Sequence, residues 1–171
     1  MVLIHKDQKG FTLIELLIAV AIFAVVAVAA DAVIVQIVQS NRTSSHMVAV
    51  RQVQQAGYRV SLDALQAQSI SVSNVTGGFP LTLNWTTWEG AEFYTVNYTL
   101  VNPSGGLYQL QRNETVGTNP TTTTVVAQYI YNGTTQCSWN ATAKVLTLNI
   151  TAIVGVETES RTYEIKPRCS V

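Results

Sequence analysis

Apolar residues fall into three textures along the chain. From Leu16 to Ala30 every residue is apolar, and after Asp31 the run resumes with Ala32-Val33-Ile34-Val35, Ile37 and Val38. Phe11 to Ala30 is about twenty residues, which at about 1.5 Å per residue spans roughly 30 Å, the thickness of a bilayer's hydrocarbon core. The pattern predicts a membrane-competent helix over 11–38. A polar belt from Gln39 to His46 follows, and then Met47, Val50, Val53, Gly57, Val60, Ala64 and Ala67 recur at three- and four-residue steps. That is the spacing of one helical face, and it predicts an amphipathic helix over 39–71 packed against a sheet. Gly57 on that face would allow a strand backbone to come close. Asn74, Gly77, Gly78 and Pro80 supply the stop.

The third texture, over 72–171, is rich in Thr, Val and Tyr. It predicts strands at Leu81–Trp85, Phe93–Val101, Leu107–Arg112, Val125–Tyr131, Lys144–Ile153 and Arg161–Lys166. Turn chemistry separates them: Asn102-Pro103-Ser104-Gly105-Gly106, Thr118-Asn119-Pro120, Asn132-Gly133 and Gly155. Leu146, Leu148, Ile150 and Ala152 share one face while Thr147, Asn149 and Thr151 share the other, as in a half-buried antiparallel sheet. The expected fold class is α+β, a long N-terminal helix packed on an antiparallel β-sheet.

Residues 1–10 carry Lys6 and Lys9 with His5 and Asp7, and they have no apolar stretch of their own. A secretory signal has its apolar region ahead of the cleavage site, so this is not one. The lysines favour a cytoplasmic N-terminus, which places the remainder of the chain outside. Within the apolar run stands Glu15, a carboxylate that would cost about 2.5–3.5 kcal/mol unpaired at the bilayer centre. Such a charge calls for a partner. Asp31 is read as marking the place where the helix leaves lipid.

The run Lys9-Gly10-Phe11-Thr12-Leu13-Ile14-Glu15-Leu16-Leu17-Ile18 resembles the N-terminus of type IV pilins and the pseudopilins of type II secretion, over roughly Lys6 to Val38. The resemblance implies a pilin-like fold, cleavage after Gly10 by a prepilin peptidase, and N-methylation of Phe11. It also implies assembly through Glu15, which would meet the Phe11 amine of a neighbouring subunit. Implied partners are other pilin or pseudopilin subunits, the inner-membrane assembly platform and membrane lipid. The expected location is the cytoplasmic membrane, N-in and C-out, before assembly, and a cell-surface or periplasmic filament afterwards. Many filament-forming pilins have a proline where this chain has Ala32. Alanine keeps a helix continuous where proline would bend it, which favours a minor pilin or pseudopilin. The alternatives are a major pilin, or a lone membrane-anchored binding module using exposed loops around Trp85, Trp88 and Tyr94.

Composition adds exclusions. The 171 residues carry ten Lys and Arg against ten Asp and Glu, giving zero net charge with only 12% of residues charged. No basic patch indicates nucleic acid. No metal-ligand cluster, phosphate loop or nucleophile motif indicates an enzyme, and no cofactor is implied. Cys137 and Cys169 both fall in the part placed outside, where an even pair reads as a disulfide and resembles the C-terminal loop of many pilins. Two buried thiols are the other reading. Asn41, Asn74, Asn84, Asn97, Asn113, Asn132, Asn140 and Asn149 all stand in Asn-x-Thr, and only Asn102 and Asn119, each followed by proline, fail the acceptor rule for N-glycans. The series reads either as glycan sites or as a Thr/Asn-rich solvent face.

Overall fold

The computed structural model describes residues 11–87 and 92–167. Its chain divides into two compact units, one up to Asn41 and one from Arg42 onward. A single helix, α1 (Leu13–Gln66), runs through both. In the first unit the apolar residues from Phe11 through Val38 are exposed. The N-terminal part of α1 is long and apolar enough to cross a membrane, so this surface suits lipid or other helices rather than water.

The second unit is the remainder of α1 packed on eight antiparallel strands. These are β1 (Ser69–Thr76), β2 (Phe79–Thr86), β3 (Phe93–Val101), β4 (Tyr108–Val116), β5 (Thr122–Ile130), β6 (Gln136–Asn140), β7 (Val145–Val154) and β8 (Glu157–Ile165). Strands β1 to β5 form a meander in sequence order; β7 then joins β5, with β6 beside β7 on that side and β8 pairing with β7 as well. The fold class is α+β, as the periodicity predicts. Phe93–Val101 is a strand at the predicted bounds. Two elements differ from expectation. The helix ends at Gln66, not near Ser71, and β1 occupies the segment behind it. Gly77 and Gly78 therefore serve the β1–β2 turn, both at positive φ, where glycine carries no Cβ penalty. Strand β6 is the other addition.

The sheet curls because β5 changes partner. Its register against β4 slips between Leu110 and Tyr108, with Tyr129 at positive φ, the mark of a bulge that bends a strand. Gln128 N–H, displaced from the ladder, donates to Gln52 Oε1 of α1 at 2.7 Å. Beyond the bulge β5 meets β7 only at Ile130 and Ala152. The curl brings β6 toward the β1–β2 turn, where Cys137 N–H donates to Gly77 O at 2.6 Å. A Cβ on Gly78 would lie 1.8 Å from Cys137 O, so this junction admits only glycine.

The buried face of α1 is Ala49, Val53, Ala56, Gly57, Val60, Asp63 and Ala64. Met47 is exposed, so the face begins at Ala49 rather than at Met47 and Val50. Against it lie Leu81, Leu83, Val96, Tyr98, Leu110, Ile130, Leu146, Leu148, Ile150 and Ala152. Small residues on the helix admit large ones from the sheet, as close-packed interiors require. Gly57 is the extreme case, although what approaches it is a ring rather than a strand backbone. A Cβ there would come within 2.1 Å of the Tyr163 ring, whose hydroxyl donates to Val53 O at 3.2 Å. In an open helix Gly→Ala stabilises by roughly 0.8–1 kcal/mol; here Gly57→Ala should instead destabilise by about 1–3 kcal/mol through overpacking. Urea melts of Gly57→Ala in the wild-type and Tyr163→Ala backgrounds check this. The sign should reverse once the ring is gone.

Candidate assembly segment and the polar groups of the domain

Thr12 and Glu15 organise the start of α1. Thr12 N–H and Oγ1–H donate to Glu15 Oε2 at 3.0 and 2.8 Å, and Glu15 N–H donates to Thr12 Oγ1 at 3.3 Å. This is a capping box: the hydroxyl satisfies one orphan helix donor and the carboxylate satisfies another. The carboxylate also lies in the first turn, where the helix dipole favours negative charge. Glu15 thus has a partner inside its own chain, one that the Thr12-x-x-Glu15 spacing announces but that the reading of Glu15 as an intersubunit group passes over. Phe11 is exposed just ahead of the cap. Gly10 lies outside the described residues.

The domain holds a second polar arrangement, which the sequence reading does not single out. Asp63 sits on the buried face of α1, and Arg112 of β4 reaches it with Nε to Oδ2 at 2.6 Å and Nη2 to Oδ1 at 3.3 Å. The other edge of the same guanidinium grips Glu114 Oε2 and Oε1 at 2.7 and 2.9 Å. Tyr98 Oη donates to Asp63 Oδ2 at 2.5 Å. Asp63, Arg112 and Tyr98 are all buried. Burial opposes the Arg112 charge, but its bonds to Glu114 and Asp63 outweigh that and raise its pKa. The Arg112 hydrogen bonds hold the Glu114 carboxyl below its usual range. Burial, then the Asp63 charge, pushes the Tyr98 hydroxyl up, which keeps it a donor. A cleft of about 310 Å³ opens beside the cluster, lined by Arg59, Gln66, Trp85 and Tyr94 among others. The carboxylates and guanidinium are committed to one another, so the cluster acts as a structural clasp between helix and sheet.

The aromatic loops expected around Trp85 and Tyr94 are not loops. Trp85 is on β2 and buried, and its ring stacks on Tyr94 of β3 at 5.4 Å and 4°. Both rings are used by the fold because they face each other across paired strands. Trp88 lies outside the described residues. So does Cys169, expected to pair with Cys137. Cys137 itself is buried in β6, and in the reduced form burial pushes its thiol up. His46 is exposed, and among the described residues no group of three or more His, Cys, Asp or Glu is placed to hold a metal.

The Asn-x-Thr series spreads over several settings. Asn84, Asn97 and Asn113 lie on the sheet face away from α1, tied into rows across the strands. Thr82 Oγ1 donates to Asn97 Oδ1 at 2.7 Å and Thr123 Oγ1 to Asn113 Oδ1 at 2.8 Å, while Asn84 Nδ2 donates to Ser69 Oγ at 3.2 Å. Asn149 faces away from the core between buried Leu148 and Ile150, accepting from Ser160 Oγ at 3.1 Å. Thr151 is buried, because the turn after β5 folds over it: Thr151 N–H donates to Thr135 Oγ1 at 3.2 Å and Tyr131 N–H to Thr151 O at 2.9 Å. Asn132 belongs to that turn, with its Oδ1 buried and without a partner among the described residues. Asn41 is exposed on α1, Asn140 ends β6 at the surface, and the Asn74 side chain lies outside what is described.

Residues 5–30 match the family model for the prokaryotic N-terminal methylation motif. This is the prepilin signature of type IV pilins and pseudopilins. Together with the apolar helix it supports a pilin-like structural subunit that is cleaved, N-methylated and membrane-anchored before it assembles with other pilin subunits. No curated protein and no solved structure matches the chain.

Proposed function

We propose that the chain is a minor pilin or pseudopilin, cut between Gly10 and Phe11 by a prepilin peptidase and built into a pilus-like or type II secretion filament through α1. One observation carries the reading: the methylation motif is joined directly to a helix whose apolar side chains are exposed throughout the first unit. An apolar surface of that length needs a bilayer before assembly and neighbouring helices after it. Residues 1–10 would be the leader, 11–38 the span and filament core, and the domain that follows the exported part. The uninterrupted helix at Ala32 supports the minor or pseudopilin assignment, because the position lacks the proline that would remove a backbone hydrogen bond there. Cys137 and Cys169 would be joined in the exported domain. Mass spectrometry of the N-terminal peptide from sheared surface filaments is the test. The expected species begins at Phe11 and is one methyl group heavier than its sequence; filament-borne protein that still begins at Met1 would sink the proposal.

A further inference from the structure

Within the Asn-x-Thr series, four strand sites contrast with one at a turn. On a strand, a residue and its second neighbour share a face, so Asn84, Asn97, Asn113 and Asn149 stand beside their threonines within rows of cross-strand hydrogen bonds. Polar pairing across the sheet is enough to account for them. Asn140 is different. It is the exposed last residue of β6, and its Oδ1 reaches over the β6–β7 turn to accept from Thr142 N–H at 3.0 Å and Ala143 N–H at 2.9 Å. Those two donors fix which end of the amide faces the chain. Nδ2 is left toward solvent, and neither it nor Thr142 Oγ1 has a partner among the described residues.

We propose that Asn140 is an N-glycan acceptor. The turn uses only the amide oxygen, and two donors on that oxygen draw the nitrogen lone pair toward the carbonyl and make the N–H groups more acidic, so that Nδ2 is primed to lose a proton. The donor would be an oligosaccharide linked to a polyprenyl diphosphate. Asn140 Nδ2 attacks the anomeric carbon, the new C–N bond forms as the C–O bond to phosphate breaks, and the polyprenyl diphosphate leaves with the electron pair. Nδ2 gives up one of its two protons, which the departing diphosphate takes up. The Thr142 hydroxyl completes the acceptor pattern from the same turn, and a bulky polar glycan is accommodated because the turn is exposed.

The chain carries its own control. Asn102 is also exposed, and its Oδ1 accepts from Ser104 N–H at 3.2 Å and Gly105 N–H at 2.6 Å in a similar turn. Pro103 fills the middle position and removes it from the acceptor pattern. Peptide-level mass spectrometry of the full chain purified from its native host decides the matter. The Asn140 peptide should carry a sugar-series mass, while the Asn102 peptide should not. Thr142→Ala retains both backbone donors of the turn, and so should keep the wild-type melting temperature while abolishing the modification; Thr142→Ser should retain it. An Asn140 peptide found only unmodified, or one still glycosylated in Thr142→Ala, would overturn the assignment.

Discussion

Asp63→Ala should cost the domain about 3–5 kcal/mol, the range found when one partner of a buried ion pair is removed. The loss comes less from the missing bonds than from what remains. Arg112, buried and still charged, would retain Glu114 but lose its second carboxylate, and Tyr98 Oη would lose its acceptor. Urea unfolding of the full chain in detergent measures the effect. The double variant Asp63→Leu, Arg112→Met should recover most of it, since well-packed apolar replacements of buried ion pairs are often neutral or stabilising. A loss below about 1 kcal/mol in Asp63→Ala, the level of exposed pairs, would mean that the clasp contributes little.

Glu15→Gln should be inserted and cleaved normally yet enter filaments roughly a hundredfold to a few thousandfold less than wild type. Glutamine is as acceptable as glutamate at the third position of a capping box, so the bonds to Thr12 are retained and only the charge is removed. If the carboxylate meets the Phe11 amine of a neighbour in the filament core, its loss leaves a buried cation, worth about 3–5 kcal/mol, and each 1.4 kcal/mol is tenfold in occupancy. Quantifying the variant in sheared filaments against the membrane pool reads this out. Incorporation equal to wild type would assign Glu15 to capping alone. A Glu15→Val variant could not separate the two roles because it removes both.

The long helix, the alternating strands and the processing segment were legible because each rests on a local period. Leu146, Leu148 and Ile150 alternate with Thr147 and Asn149 within one strand, and no distant residue is needed to read their faces. The end of α1 was not legible in that way. Gln66 is followed closely by no glycine or proline, and the breakers at Gly77, Gly78 and Pro80 belong to the next turn, so the predicted helix runs past its end into the first residues of β1, to Ser71. Strand β6 is five residues long with few apolar positions, and its place is set by pairing with β7. Asp63 and Arg112 carried a signal that was available. Asp63 falls three residues after Val60 on the apolar stripe, and Arg112 two after Leu110 on the inward face of β4. A charge on each buried face implies that the two meet. Thr12 offered the same kind of clue through its spacing to Glu15.

The outward face of β1 to β5 has one further consequence. Its rows of Ser, Thr and Asn present hydroxyls and amides, groups that neither titrate between acid and alkali nor attract counterions. Charged surfaces change their mutual repulsion as salt screens them, over a Debye length of about 8 Å at physiological ionic strength. This face has little repulsion to lose. Copies of the domain displayed side by side would keep nearly constant hydration and spacing as the surrounding medium changes its acidity or salinity.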